Sequence, residues 1–402
     1  MSDGVAKPAA GESLSKMPFP GMVDNLGPPI LFKDVENIAG YSLNAAQEGD
    51  GVQICCAKAL TSDEPIFHRI ADSMADVIDH LARASGVGGN VRRADTTLFV
   101  IRDDGTAELW LDTAAEAVHA FVKRDFQAGM AVLETDIADI LTMSFPCVRI
   151  GPTDKVFCIF RVGWRFGMAF DFNRDGQLDL ESFQRSLGWL LRNLKYRNLY
   201  DSLGDKAIFS RLIASGWFPF AEIISREFKE ILSHIEAGFE TAKLEESILA
   251  NFNEERMRCL VTRWVAKPHL SARKDLLKAA VDAFNRKEPI AVIKILVTEI
   301  EGILNDAYRQ VNDGKGAKTK KLLQFAMESA EQKTGGSDTL MFPKAFAEYL
   351  AQQTFANFDP EAGTGTASSR HAVGHGAAPQ ETYTMVRALQ VILTLDQLVF
   401  YT

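Results

Sequence analysis

The spacing of hydrophobic residues separates a mixed α and β region, before about residue 180, from a helical region after it. In the first region, Thr97–Arg102 and Thr106–Asp112 are two β-rich runs around the turn signal Asp103-Asp104-Gly105, which predicts a hairpin. Lys155–Phe172 is dense in aromatic and β-branched residues and predicts two or three strands of one sheet. A helix over 66–81 is predicted by apolar residues at helical spacing: Ile66, Ile70, Met74, Val77 and Leu81.

After Leu180 the β signals nearly vanish, and leucines between Leu187 and Leu199 mark an amphipathic helix. The last helix, Met385–Phe400, is apolar on almost every side and should lie at the centre of a bundle. The small, polar stretch Pro360–Ser369 is expected to be an exposed loop. The other predicted helices are Asp205–Phe220, Ala221–Ile235, Leu244–Trp264, 271–286, 288–311, 317–332, 343–356 and 382–400.

These patterns predict an α+β N-terminal domain followed by mostly α-helical structure. The Gly-, Pro- and Ala-rich residues 1–30 are expected to form a flexible tail. The predicted boundaries after the tail are 31–180 for the α+β domain, 181–268 for a helical connector and 269–402 for a helical bundle.

Composition and charge narrow the class of protein. The 402 residues are 47% hydrophobic and 24% charged, which excludes disorder for most of the chain. The net charge of −9 argues against a surface built for duplex DNA or anionic lipid, although a local basic pocket is compatible with it. No apolar run has the length of a membrane span, and residues 1–30 contain no apolar core of a signal peptide. We therefore expect a cytoplasmic protein that binds neither membrane nor DNA.

Five cysteines, an odd number without a C-x-x-C pair, argue against a disulfide framework or a zinc site. Reduced thiols are the expected state of Cys55, Cys56, Cys147, Cys158 and Cys259.

A calcium loop is the first candidate site. Asp171, Asn173, Asp175, Gly176 and Asp179 match EF-hand positions 1, 3, 5, 6 and 9, but position 12 is Ser182 instead of the bidentate carboxylate that closes the cage. We therefore favour a polar turn in which Asp179 lies near the N-terminus of the next helix.

The segment Lys123–Ile140 resembles a short part of SAF or β-clip domains, in which an Ala-Gly turn leads to a strand and then to a helix. Ala128-Gly129 is the predicted turn and Thr135 the predicted helix N-cap.

Isolated histidines and known nucleotide or nucleophile motifs offer little chemistry. The chain contains neither a P-loop nor a G-x-S-x-G nucleophile elbow. No two of the scattered histidines are four residues apart, so we expect surface or satisfied core side chains: His68, His80, His119, His234 and His269.

The segment Ser369–Gly376, SRHAVGHG, combines an arginine with two histidines. Arg370 and His375 are separated as R-x-x-x-x-H, and a helix would bring them near enough to act on one phosphate. A guanidinium binds phosphate oxygens and stabilises transition-state charge, and an imidazole transfers protons at neutral pH. Together they supply what metal-independent RNA cleavage requires: deprotonation of the 2′-hydroxyl and neutralisation of the phosphorane.

This segment resembles the R-[NHD]-x-x-x-H signature of HEPN domains, helical bundles found in toxins, abortive-infection proteins and RNA-targeting effectors. The longer stretch RHAVGHG, followed by Tyr383 and VILTLDQL, is similar to the C-terminus of a group of bacterial HEPN proteins. The segments EIEGIL (299–304) and VGWRFGMAFDF (162–172) are also similar to segments of that group.

The resemblance implies a metal-independent endoribonuclease without cofactors, acting as a homodimer whose two motifs face each other through the C-terminal bundle. Arg370 and His375 would be the catalytic pair, His371 the polar residue that orients them, and Glu301 an acidic neighbour from an inner helix. Tyr383 would support the site. The expected substrate is single-stranded RNA, cut to a 2′,3′-cyclic phosphate and a 5′-hydroxyl, in a toxin or phage-defence effector.

Two positions depart from the family pattern. Ser369 replaces the usual Asn before the arginine, which affects local capping, and Ala377 stands where some HEPN toxins carry a tyrosine that is nucleotidylated. The alternative function is a non-catalytic HEPN scaffold that uses the motif for dimerisation or for binding nucleotide or RNA.

Overall fold

The structure, a computed structural model, describes residues 24–36, 38–86, 91–334, 336–357 and 366–402. The chain forms two compact units. The sheet unit comprises Met1–His119 and Leu141–Lys195, and the helical unit comprises Ala120–Ile140 and Tyr196–Thr402. The predicted tail, residues 1–30, lies largely outside the described residues.

Ten strands form one large sheet and two small ones in the described chain. In chain order they are β1 (Ile30–Phe32), β2 (Tyr41–Ser42), β3 (Ile54–Cys55), β4 (Ala57–Thr61), β5 (Thr96–Ile101), β6 (Ala107–Leu111), β7 (Ala117–Val122), β8 (Ile137–Ser144), β9 (Lys155–Val162) and β10 (Arg165–Asp171). Six of them make an antiparallel sheet in the order β1-β6-β5-β9-β10-β4, while β2 pairs with β3 and β7 with β8.

The six-stranded sheet is buried on both faces because each face carries a helix. Alternate residues of a strand point to opposite faces, so every central strand supplies two cores. On one face, α1 (Pro65–Ala84) packs Phe67 and Met74 against Phe99 and Phe157. On the other face, α2 (Leu180–Lys195) packs its leucines against a second set of strand residues: Leu98, Val156, Cys158 and Phe160. Each large side chain buried in this way contributes about 1.5–3 kcal/mol of hydrophobic stabilisation.

The local predictions for this region are confirmed. The helix over 66–81 is α1, and the hairpin is β5–β6, with Phe99 opposite Leu109 and Gly105 in the left-handed region (φ 79°). Lys155–Phe172 contains the antiparallel pair β9–β10.

The helical unit is built from the remaining helices. The C-terminal α14 (Met385–Tyr401) is buried along almost its whole length and packs against α10, α11 and α7, as expected for a central helix. The others are α3 (Arg197–Gly204), α4 (Lys206–Ser215), α5 (Glu227–Ala237), α6 (Ala242–Asn251), α7 (Glu254–Val265), α8 (Pro268–Ser271), α9 (Lys274–Asn285), α10 (Pro289–Val311), α11 (Thr319–Thr334), α12 (Pro343–Gln352) and α13 (Arg370–Gly374).

Several predicted helices are shorter or divided. Gly216, with φ 78°, ends α4, so the predicted helix Asp205–Phe220 loses its last turn. The predicted helix Leu244–Trp264 is two helices, because Asn253 caps α7 with a hydrogen bond from the Arg256 backbone N–H to its side chain. The predicted loop Pro360–Ser369 lies partly outside the described residues.

The predicted domain boundaries do not match the two units. The predicted connector 181–268 is not a separate part, because the leucines of α2 pack on the sheet while the helices after Lys195 belong to the helical unit. Residues 120–140, assigned by sequence to the α+β domain, also belong to the helical unit.

The prediction for Lys123–Ile140 is wrong in its second half. Ala128-Gly129 does form a turn, with Gly129 at φ 84°. Thr135, however, lies in a short 3-10 turn and caps no α-helix; the chain continues as strand β8, whose β-branched residues Ile137 and Ile140 suit a strand.

All five cysteines lie among the described residues, and none of them forms a disulfide. Across the described ranges, no helix combines the length and the apolar character that crossing a membrane requires.

Candidate functional site

The segment SRHAVGHG folds as a short capped helix, which the sequence pattern did not predict. Ser369 is the N-cap of α13: its hydroxyl donates to the Ala356 carbonyl (2.9 Å) and accepts from the Ala372 N–H (3.4 Å). Ser369 thus supplies the hydroxyl that caps the first turn of α13. The Arg370 N–H donates to the Thr354 carbonyl at 2.9 Å, which ties α13 to the chain that leaves α12.

Arg370, the first residue of α13, forms an ion pair with Glu301 of α10 through Nη1 and Oε2. The pair is partly accessible, since the Arg370 side chain is 28% exposed and the Glu301 side chain 21%. A guanidinium carries five N–H donors. Within the described residues, Glu301 is the one partner of the Arg370 guanidinium, so further donors are open to a ligand.

Glu301 is itself held from a third helix. The Thr319 hydroxyl, at the start of α11, donates to Glu301 Oε1 at 2.8 Å, while the other carboxylate oxygen faces Arg370. Glu301 therefore fixes the guanidinium of α13 against α10 and α11. Thr319 was missed by sequence reasoning, because nothing in its local context marks it as a partner of a residue 18 positions earlier.

One histidine of the motif lies within α13 and the other at its C-terminal end. His375 caps the C-terminus of α13 and is exposed, and its backbone N–H donates to the His371 carbonyl at 3.0 Å. Burial lowers the pKa of His371, and the charges of Arg370 and His375 lower it further. The structure therefore brings Arg370, His371, His375 and Glu301 into one cluster, which we call the α13 cluster.

Tyr383 lies outside this set of contacts. It follows a 3-10 turn (Gln380–Thr382), and partial burial raises the pKa of its hydroxyl. In the part of the chain that the structure describes, no hydrogen bond joins Tyr383 to Arg370, His371 or His375. The expected supporting role of Tyr383 is therefore not backed by a hydrogen bond to the motif.

The calcium-like loop is a structural turn. Asp171 Oδ1 accepts from the Asn173 N–H (2.8 Å), and Asp179 Oδ1 accepts from the Ser182 N–H (2.9 Å) in the first turn of α2. Asp179 therefore lies at the N-terminus of the next helix, as expected from the sequence. No group of three His, Cys, Asp or Glu side chains suited to a metal lies together among the described residues.

His269 is a satisfied core histidine. It is buried, and one ring nitrogen lies 3.0 Å from the Thr402 hydroxyl. Burial, assisted by Lys267 and Lys333, lowers its pKa to about 4. His68 and His234 are partnered locally, by the Ser62 carbonyl and by the Glu230 carbonyl.

A second group of charges, which sequence reasoning missed, lies inside the helical unit. We call it the central ion cluster: Lys123, Glu222, Arg256, Arg263 and Asp396. Arg263 Nη2 donates to both oxygens of Asp396 at 2.7 Å and to Glu222 at 3.0 Å. Trp264 Nε1 donates to Asp396 at 2.8 Å, and burial lowers the pKa of Lys123 to about 8. Every member joins elements that are distant in sequence, which explains why no local pattern revealed it.

Comparisons with protein-family models, with curated proteins and with solved structures find no match to this chain. The function of the α13 cluster is therefore inferred from its own residues.

Proposed function

We propose that the helical unit is a HEPN-type, metal-independent endoribonuclease whose active centre is the α13 cluster. The observation that carries the proposal is the placement of Arg370 and His371 in one short, accessible helix and of His375 at its C-cap, with the arginine fixed by Glu301. Arginine and imidazole in one accessible place are the two groups that phosphodiester cleavage without a metal requires.

In the proposed reaction, Arg370 binds the non-bridging oxygens of the scissile phosphate with the N–H donors that Glu301 leaves open. The 2′-hydroxyl attacks the adjacent phosphorus, the bond to the 5′-oxygen breaks, and a 2′,3′-cyclic phosphate and a 5′-hydroxyl form. His375, the exposed imidazole, takes the proton of the 2′-hydroxyl and delivers it to the leaving 5′-oxygen. Proton transfer by a positioned side chain contributes about 10²–10⁴ in rate.

His371 has a different role in this proposal. Its lowered pKa favours the neutral imidazole. A neutral ring can orient its neighbours through hydrogen bonds but does not supply a positive charge. A homodimer that brings two α13 clusters to one RNA strand belongs to the same proposal.

The test is cleavage of a labelled single-stranded RNA by the full chain in EDTA. Wild-type protein should cut, and Arg370→Ala and His375→Ala should each lose at least about 100-fold in rate. Arg286→Ala and His234→Ala are matched controls in the same unit, and both should cut like wild type. The product should end in a cyclic phosphate, and a strand with 2′-deoxyribose at the cleaved position should resist.

If wild type and both α13 variants cut equally well, the active site of the nuclease lies outside the α13 cluster. If no form cuts, and the variants instead change the oligomeric state measured by light scattering, the motif serves the alternative scaffold function.

A further inference from the structure

A run of lysines lies directly beside the α13 cluster. The lysine segment, Lys315–Lys321, reads KGAKTKK and leads into α11. The segment contains Thr319, whose hydroxyl donates to Glu301, the carboxylate that holds Arg370. Lys318 and Lys320 are the neighbours of Thr319 in the chain, with Cα atoms about 3.8 Å from its own. The backbone of these two lysines therefore lies on either side of the residue that contacts Glu301.

The segment is fixed to α10. Asn305 pins Ala317 with two hydrogen bonds: its side chain accepts from the Ala317 N–H (3.0 Å) and donates to the Ala317 carbonyl (3.3 Å). The Gly314 N–H donates to the Arg309 carbonyl at 3.0 Å. These bonds give the lysines a defined backbone position next to the α13 cluster.

The lysine charges are open to an anion. Lys315, Lys318 and Lys320 are exposed, and across the described residues none of the three forms an ion pair with a carboxylate. The nearby acids are engaged elsewhere: Glu301 pairs with Arg370, and Asp306 pairs with Arg273 and Arg309. Asp313 is the remaining acid in the loop before the segment. The N-terminus of α11 adds partial positive charge.

We infer that the lysine segment is the phosphate-binding track for single-stranded RNA, holding the backbone next to the scissile phosphate at Arg370. This inference rests on the proposed function for its substrate. Lysines bind phosphates as point charges without reading bases, so the track gives affinity and register without sequence preference. A local track also reconciles RNA binding with a net charge of −9.

The experiment measures binding separately from cleavage. A labelled, fully 2′-O-methylated single strand, which cannot be cut by 2′-hydroxyl attack, is titrated with the full chain in fluorescence anisotropy between about 50 and 200 mM salt. The variant is the triple substitution Lys315→Ala, Lys318→Ala, Lys320→Ala. The matched control removes the same charge from exposed lysines on α4, α6 and α9: Lys206→Ala, Lys243→Ala, Lys278→Ala.

The track variant should bind at least about tenfold more weakly, and the slope of log K against log salt should become shallower by about 2, since each single-strand phosphate contact contributes about 0.7. The control should keep both values close to wild type. Equal affinity and slope in the track variant and wild type overturn the inference, as does an absence of binding by wild type.

The outcomes distinguish this inference from the proposed function. If wild type binds through the track and yet cuts no RNA, the track stands and the nuclease fails. If wild type cuts and the track variant keeps its KM and its affinity, the nuclease stands and the track fails.

Discussion

The helical unit contains two groups of opposite charges that differ in what surrounds them. In the central ion cluster, Asp396 is 1% exposed and Arg263 15%, and the Arg263 guanidinium donates to Asp396, to Glu222 and to the Lys123 carbonyl. In the α13 cluster, Arg370 has one carboxylate partner and is 28% exposed. Each contains an arginine paired with at least one carboxylate, but the arginine of the α13 cluster keeps N–H donors that no described residue uses.

The difference shows how to separate a structural charge from a functional one. Buried ions that lose water need every hydrogen bond satisfied, so the central ion cluster stabilises one arrangement of α7, α14 and the chain near Glu222. An accessible arginine with one partner contributes little to stability and retains its capacity to bind phosphate. Substitutions that change one cluster and leave the other intact test this distinction between a stabilising cluster and a ligand-binding one.

The largest effect is expected at Asp396. Asp396→Ala removes the acceptor of Arg263 and Trp264 and leaves a buried guanidinium without its closest carboxylate, which should cost about 3–5 kcal/mol of unfolding free energy. Denaturant unfolding measures this loss, with the exposed Asp282→Ala of α9 as the control. If Asp396→Ala does not fold, Asp396→Asn, which keeps the shape, provides the measurement. A loss below about 1 kcal/mol in either variant contradicts a structural role.

The next effect is a pH dependence of stability. The pKa of His269 is lowered to about 4 in the folded chain, against an ordinary value of 6.5. Below pH 6.5 the unfolded chain binds a proton that the folded chain does not, so stability is complete above that pH and falls as the pH approaches 4. The loss should reach about 3 kcal/mol.

His269→Gln should remove this share of the acid sensitivity, measured by denaturant unfolding at pH 7 and pH 4.5. His375→Gln in the α13 cluster is the control, and because it retains His269 it should keep the acid sensitivity. The same acid loss in His269→Gln and in wild type contradicts the assignment.

A smaller effect is expected when the ion pair of the α13 cluster is changed. Glu301→Gln keeps a hydrogen-bonding side chain but removes the charge that holds Arg370, so cleavage should slow about tenfold while the unfolding free energy changes by less than about 1 kcal/mol. A drop in kcat with little change in KM indicates a positioning role, and Glu301→Asp should recover part of the rate. If Glu301→Gln instead loses much stability and cleaves at the wild-type rate, the ion pair of the α13 cluster is structural.

The smallest effect is expected at Thr319. Thr319→Ala removes one hydrogen bond to Glu301, which should slow cleavage about threefold, at the low end of the net contribution of a hydrogen bond, because Thr319 acts on Arg370 only through Glu301. Thr298→Ala is the matched control on α10, since the Thr298 hydroxyl bonds only to carbonyls of its own helix, Lys294 and Ile295. Equal rates in Thr319→Ala and Thr298→Ala exclude a role for Thr319.

Local patterns predicted the elements that bury one continuous face. Helix α1, the β5–β6 hairpin and the central α14 were predicted correctly, because periodicity and turn residues report burial directly. The short α13 was not predicted, since five residues offer too few positions for a periodicity, and its Ser369 cap shows only in the folded chain. The strand β8 was predicted as a helix because the acidic residues before it resemble a helix cap.

Contacts between residues that are distant in the sequence were predicted only in part. Glu301 was expected near Arg370 through family resemblance, and the two residues do form an ion pair. Tyr383, expected on the same ground, lacks such a contact, and the motif VILTLDQL contains Asp396 but gives no sign of its partner Arg263. The predicted boundary at residue 180 differs from the end of the sheet unit at Lys195 for the same reason, because no local pattern indicates that α2 packs on the sheet.

Because residues 120–140 belong to the helical unit, neither unit is a continuous stretch of chain. A fragment that starts at Tyr196 lacks the Lys123 carbonyl that accepts from Arg263 and the Asp139 carboxylate that accepts from the Leu340 N–H. During synthesis, residues 120–140 leave the ribosome long before α14 has been made. Truncation at a single point therefore cannot isolate the helical unit, whose assembly waits for α14.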